Sequence, residues 1–164
     1  MNKLEVTYEE ERVVIISLLL LLVSVIGISS YFLFKDKINL LDVDHSAVDW
    51  NGKKQKDTSG EENTIAIPGF EKVTLYANET TQAVNFHNPE INDCYFKISL
   101  IHPDGSVLWI SDLIEPGKGM YSIELEKTLA VGEYENAVLK YECFSLNDQS
   151  PLNGSEINLK LVVV

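Results

Sequence analysis

Cys94 and Cys143 are the only cysteines in the chain. An isolated pair has two plain chemical uses, ligation of a metal and closure of a disulfide. Ligation needs further donors at fixed spacing, and His45, His87 and His102 stand apart with no His-x-x-x-His or Cys-x-x-Cys pattern. Asp42-Val-Asp44-His-Ser46 has the alternating carboxylates of a calcium loop, but lacks the turn glycine and the distant bidentate glutamate that would close one. No histidine or lysine lies directly beside either cysteine to favour a thiolate, and no Gly-x-Ser-x-Gly or Ser-x-x-Lys nucleophile motif occurs. The residues therefore predict no catalytic group, metal or cofactor, and no enzyme. They predict one disulfide, Cys94 to Cys143, against the alternative of two buried free thiols. Asn78-Glu-Thr80 and Asn153-Gly-Ser155 have the form of N-glycosylation acceptors, which matter only in a eukaryotic secretory route.

A second constellation is structural. Leu129-Ala-Val-Gly132-Glu-Tyr134 places a core leucine, a turn glycine and a tyrosine ahead of a long β-prone run. In immunoglobulin-like sandwiches a tyrosine near the start of strand F hydrogen-bonds back to the chain upstream and pins the corner between sheets. Gly132 and Tyr134 fit that tyrosine corner, the alternative being an ordinary half-buried strand tyrosine. Tyr95, Trp109, Tyr121 and Phe144 sit at alternating strand positions. They are candidates for an exposed aromatic binding face, although such positions serve a core equally well.

From about Thr64 short β-prone runs alternate with turn signals every 8 to 12 residues or so, as in an all-β sandwich. "TIAI" ends at Pro68-Gly69, and "KVTLYA" and "TQAVNFH" follow. "CYFKISLI" alternates, with Cys94, Phe96, Ile98 and Leu100 on one face. His102-Pro-Asp-Gly105 reads as a hairpin turn with glycine where φ is positive. "SVLWISDLI" returns to a turn at Glu115-Pro116-Gly117, and "YSIELE" places Tyr121, Ile123 and Leu125 together. The run after Gly132 puts Ala137, Leu139, Tyr141 and Cys143 on one face, and "EINLKLVVV" follows last. The expected fold is an immunoglobulin-like antiparallel β-sandwich of about seven to eight strands with Greek-key connections. Two registers remain open. "CYFKISLI" is strand C beside strand F, or Cys94 belongs to strand B with Trp109 as the strand C tryptophan. Both bring Cys94 to Cys143.

Ahead of the β pattern the chain changes character. Val13 to Phe34 holds no charged residue, and as a helix it would span about 30 Å, the thickness of a bilayer's hydrocarbon. The preceding tail is acidic, and no small-x-small cleavage site follows, so the segment reads as a signal-anchor helix. Lys3 and Arg12 on one side balance Lys35 and Lys37 on the other, leaving orientation to the cysteines. A disulfide needs an oxidising compartment, which puts the N-terminus in the cytoplasm and the C-terminal part outside. The expected division is a cytoplasmic tail at 1–12, a membrane helix at 13–34 in contact with lipid, an extracytoplasmic stalk at 35–63, and a β-sandwich at 64–164. Trp50 is the exception in the stalk, a residue to dock on the domain or to sit at the lipid interface. The net charge of −12 excludes a nucleic-acid partner, whose phosphates need clustered Lys and Arg.

"IPGF", "NFHNPEINDCYFKISL", "DGSVLWISDLIEPGKGMY" and "GEYENAVLKYECFSLNDQSPLNG", taken in that order, resemble a family of short single-span membrane proteins of Gram-positive Firmicutes. The resemblance covers most of residues 48 to 164 and implies an immunoglobulin-like extracellular part in a largely uncharacterised family. Some relatives carry a tRNA uracil methyltransferase label, but the residues offer no Gly-rich cofactor loop, no βαβ alternation and no basic surface for it. The expectation is thus a membrane-anchored interaction module or accessory subunit of a cell-envelope or surface assembly, its protein partner unidentified. The alternative is a surface-displayed domain for a small ligand or glycan. No small-molecule substrate is indicated.

Overall fold

The structure is a computed structural model that describes residues 12–26, 28, 40–52 and 64–164. The chain divides into two compact units, Met1–Leu40 and Leu41–Val164.

In the first unit, residues 12–26 and 28 are helical, and the apolar side chains from Val13 to Ile28 that are described are exposed all round. Ser17 and Ser24 donate their hydroxyls to the carbonyls of Val14 and Leu21, each at 2.8 Å, so both polar groups are satisfied within the helix. Among the described residues no helix is long and apolar enough to cross a membrane. Residues 1–11 of the expected 1–12 tail, residues 27 and 29–34 of the expected span, and residues 35–39 and 53–63 of the expected stalk lie outside the described residues.

The second unit is all-β. Its strands are β1 (Val48–Asp49), β2 (Lys72–Leu75), β3 (Thr81–His87), β4 (Cys94–Ile101), β5 (Val107–Ile110), β6 (Lys118–Glu124), β7 (Gly132–Ser145) and β8 (Pro151–Val163). They form a three-stranded sheet ordered β1-β6-β3 and a five-stranded sheet ordered β2-β8-β7-β4-β5. All pairings are antiparallel except β2 with β8. The inner faces meet in one core. Phe86, Met120 and Ile123 come from the smaller sheet, and Phe96, Ile98, Leu139 and Leu161 from the larger. Alternation gives β4 and β7 each one apolar face, and burial of those faces is the main force holding the two layers together.

Two turns follow from their residues. Gly105 at φ 86° closes the β4–β5 hairpin, and Gly117 at φ 76° follows Pro116, with Lys118 N–H returning to the Glu115 carbonyl at 3.1 Å. Pro then Gly is the order that a type II turn requires.

Three boundaries differ from the sequence expectation. The β unit begins at Leu41, so residues 41–52 of the expected 35–63 stalk belong to it. Leu41 exchanges two hydrogen bonds with the Gln149 side chain, Val43 bridges to Leu113, and β1 pairs with β6. "TIAI" is not a strand. Its backbone at Ala66 is instead held both ways by the buried Asn92 amide, at 2.7 and 3.0 Å. Finally, Tyr121 does not join Ile123 and Leu125. In β3 two residues, Val84 and Asn85, stand opposite Tyr121 alone, and this bulge turns Tyr121 outward while Met120 and Ile123 stay buried.

Candidate functional site

Cys94 pairs in register with Ser145, and Cys143 with Phe96, so the two cysteines are diagonal neighbours on the core face of β4 and β7. This pairing makes the strand of Cys94 the direct neighbour of the Tyr134–Cys143 strand, as in the first of the two registers. Both side chains are buried, each 1% exposed, and both are free thiols, so the expected bridge is not formed in this structure. The interaction of the neighbouring thiols holds Cys94 below the usual thiol range and, with burial, pushes Cys143 above it.

Tyr134 donates its hydroxyl to the Ala130 carbonyl at 2.9 Å, tying the start of β7 to the segment before it. His102 packs edge-on against the Tyr134 ring at 5.0 Å. Gly132 does not supply a turn conformation. It opens β7 with no positive φ, and a methyl there would meet the Tyr134 ring at ordinary contact distance.

The four aromatic candidates do not share a face. Trp109 lies opposite Leu100, is 7% exposed, and stacks on Phe86 at 5.9 Å across the two sheets; it is core. Tyr121 projects from the other sheet, where its hydroxyl donates to Asn51 Oδ1 at 2.9 Å and accepts from Asn51 N–H at 3.0 Å. Only Tyr95 and Phe144 remain together, directly paired on the outer face of the larger sheet. That face also carries the Ile101–Val138 pair and, on β5, Val107 and Ile110 at 40% and 46% exposure. Lys97 opposite Glu142, and Lys140 reaching Glu142 at 3.5 Å, form a charged band between the apolar ends.

A further site was not legible from spacing. Trp50, just past β1, stacks on His87 with ring centres 3.8 Å apart and planes 8° from parallel. Its Nε1–H donates to Asn85 Oδ1 at 2.7 Å and its backbone N–H to the Gly117 carbonyl at 2.9 Å. Gly119 makes the slot. A Cβ there would come within 2.8 Å of Trp50 and 2.9 Å of both His87 and the Phe86 carbonyl. Around this stack opens a cleft of about 800 Å³ lined by Trp50, His87, Ile91 and Pro116, with Asp49 and Glu90 as its carboxylates. Asp49 is bound by Lys118 at 2.6 Å, which holds its carboxyl below the usual range. The one sequence signal was a tryptophan next to Asn51-Gly52 inside an otherwise polar segment.

Among the described residues no group of His, Cys, Asp and Glu is placed to hold a metal ion. No family model, curated protein or solved structure matches the chain.

Proposed function

We propose that this chain is a membrane-anchored, extracytoplasmic immunoglobulin-like module that serves as an interaction or accessory subunit of a cell-envelope or surface assembly. The observation that carries it is the outer face of the five-stranded sheet. Apolar pairs at either end, Tyr95–Phe144 and Ile101–Val138, flank a narrow charged band, so the face offers a partner two apolar patches with charges between them that can fix the register of docking. The immunoglobulin-like reading is supported by two stacked sheets, by β2 running parallel to β8 beside β7 and β4, and by the Tyr134–Ala130 bond at the corner. The anchor reading, a span over residues 13–34, rests on the charge-free sequence and on a helix whose described apolar side chains point outward on every side.

The test has two arms. Protease added to intact cells should remove the 41–164 unit; protection of that unit overturns the placement. Affinity capture from detergent extracts should recover one defined partner with the native chain, and should lose it with Ile110→Glu at an unchanged thermal midpoint. Equal recovery with Ile110→Glu overturns the assigned face.

The cleft at Trp50 favours a second reading. A half-open cleft around an aromatic stack with flanking carboxylates, within the size range of small-molecule sites, suits a ligand or glycan displayed to the outside. Titration with glycan fragments, read by Trp fluorescence, separates this reading from the first.

A further inference from the structure

We infer that Cys94 and Cys143 are an oxidation site: they form one intramolecular cross-strand disulfide that closes while β4 and β7 are still coming together and is afterwards sealed in the core. The inference rests on the extracytoplasmic placement proposed above, because only an oxidising compartment sustains such a bond.

The register supplies the proximity. Diagonal neighbours on paired strands stand roughly 7 to 8 Å apart at Cα and closer at Cβ, just beyond what an unstrained disulfide spans, so closure requires a backbone shift that draws the two strands together. Cys94 is the first residue of β4, where a small backbone adjustment disturbs little of the ladder. Both side chains are buried on the core face of their paired strands, and no metal ligand set surrounds them among the described residues.

Burial supplies the order of events. Oxidation by exchange needs an external disulfide to reach one sulfur in line, and both sulfurs lie on the face that Phe96 and Tyr141 also occupy, within the core cluster. In the folded chain that approach is closed. While the strands are still open, one cysteine thiolate attacks the disulfide of an extracytoplasmic thiol–disulfide oxidoreductase and releases one of its sulfurs as thiolate. The second cysteine thiolate then attacks the mixed disulfide and expels the other. The chain loses two protons and two electrons, and the oxidant's disulfide becomes a dithiol. The bond so formed is structural: what excludes the oxidant also excludes reductants.

The full chain can be tested directly. Protein from the native membrane, denatured and alkylated without reductant, should show neither cysteine labelled and one Cys94–Cys143 peptide pair on mapping. Labelling of either cysteine, or a bridge to another chain, overturns the inference. Protease access on intact cells is scored in parallel. An accessible domain with free thiols defeats the disulfide alone, whereas an inaccessible one defeats the placement as well. For the sealing, reduced chain in detergent is refolded with glutathione disulfide present from the start, or refolded first and then exposed to it. Bridging in the second sample should be at least about a hundredfold slower, because it waits on rare opening of the core. Equal rates overturn the sealing.

Discussion

Tyr134 and Gly119 hold the fold together by opposite means. Tyr134 contributes a bond, one hydroxyl donated to Ala130 at the entry to β7. Tyr134→Phe keeps the ring against His102 and removes that bond, so it should lower stability by about 1 kcal/mol, read as a shift in the urea midpoint. An unchanged midpoint would reduce the residue to packing alone. Gly119 contributes an absence, since Trp50 and His87 occupy the space that a side chain would fill. Gly119→Ala should cost about 1–3 kcal/mol and should raise the exposure of Trp50 to an aqueous fluorescence quencher. The tyrosine was legible because its motif is local. The glycine was not, because the tryptophan that makes it necessary lies some seventy residues away in a segment that composition marks as linker.

The strands from β2 to β8 were legible because period-two alternation and Gly or Pro turns are properties of neighbouring residues. Two of the departures share a cause. β1 has only two residues and no alternation, and it exists because β6 offers an open edge and Trp50 a slot beyond it. The outward turn of Tyr121 comes from an extra residue in β3, its partner strand. Neither signal lies in the sequence of the element it changes. A fragment covering 64–164 therefore lacks an edge strand and the Trp50 stack, whereas 41–164 retains both. The shorter fragment should melt below the longer by several degrees, and its far-UV circular dichroism should remain that of a β protein. Equal midpoints would make residues 41–52 a passive attachment. Oxidation of Cys94 and Cys143 ties β4 to β7 across about fifty residues, for which the chain-entropy model gives about 4 kcal/mol. The reduced chain should then unfold at a correspondingly lower urea concentration.

For the molecule as a whole, the surplus of acid shapes its response to pH. The Asp104 carboxyl is held well below its usual range, chiefly by Ser106, while Thr80 and Thr81 lower Glu124 and Lys160 lowers Glu133. Groups whose folded values are depressed contribute stability that is complete above their unfolded values and lost as pH falls through the folded ones. The urea midpoint should accordingly be flat through neutral pH and fall below about pH 4. Lys160, raised by Glu135 and Glu133, acts in the reverse sense and keeps its contribution until alkaline pH. A midpoint that rises on acidification from neutral pH would contradict this assignment.

The parallel pairing of β2 with β8 has a mechanical consequence. Lys72 to Leu75 run alongside Lys160 to Val163 in the same direction, and the pairing is prolonged by bonds from Lys160 to Glu71, Val164 to Leu75 and Ala77 to Val164. Tension applied between the chain ahead of β2 and Val164 pulls these strands along their length in opposite directions. Once the two residues of β1 have peeled away, every bond of the ladder is loaded at once, in shear, and none can be unzipped before its neighbours. A module tethered by one end and tugged by whatever grips the other would yield late and abruptly rather than by gradual fraying.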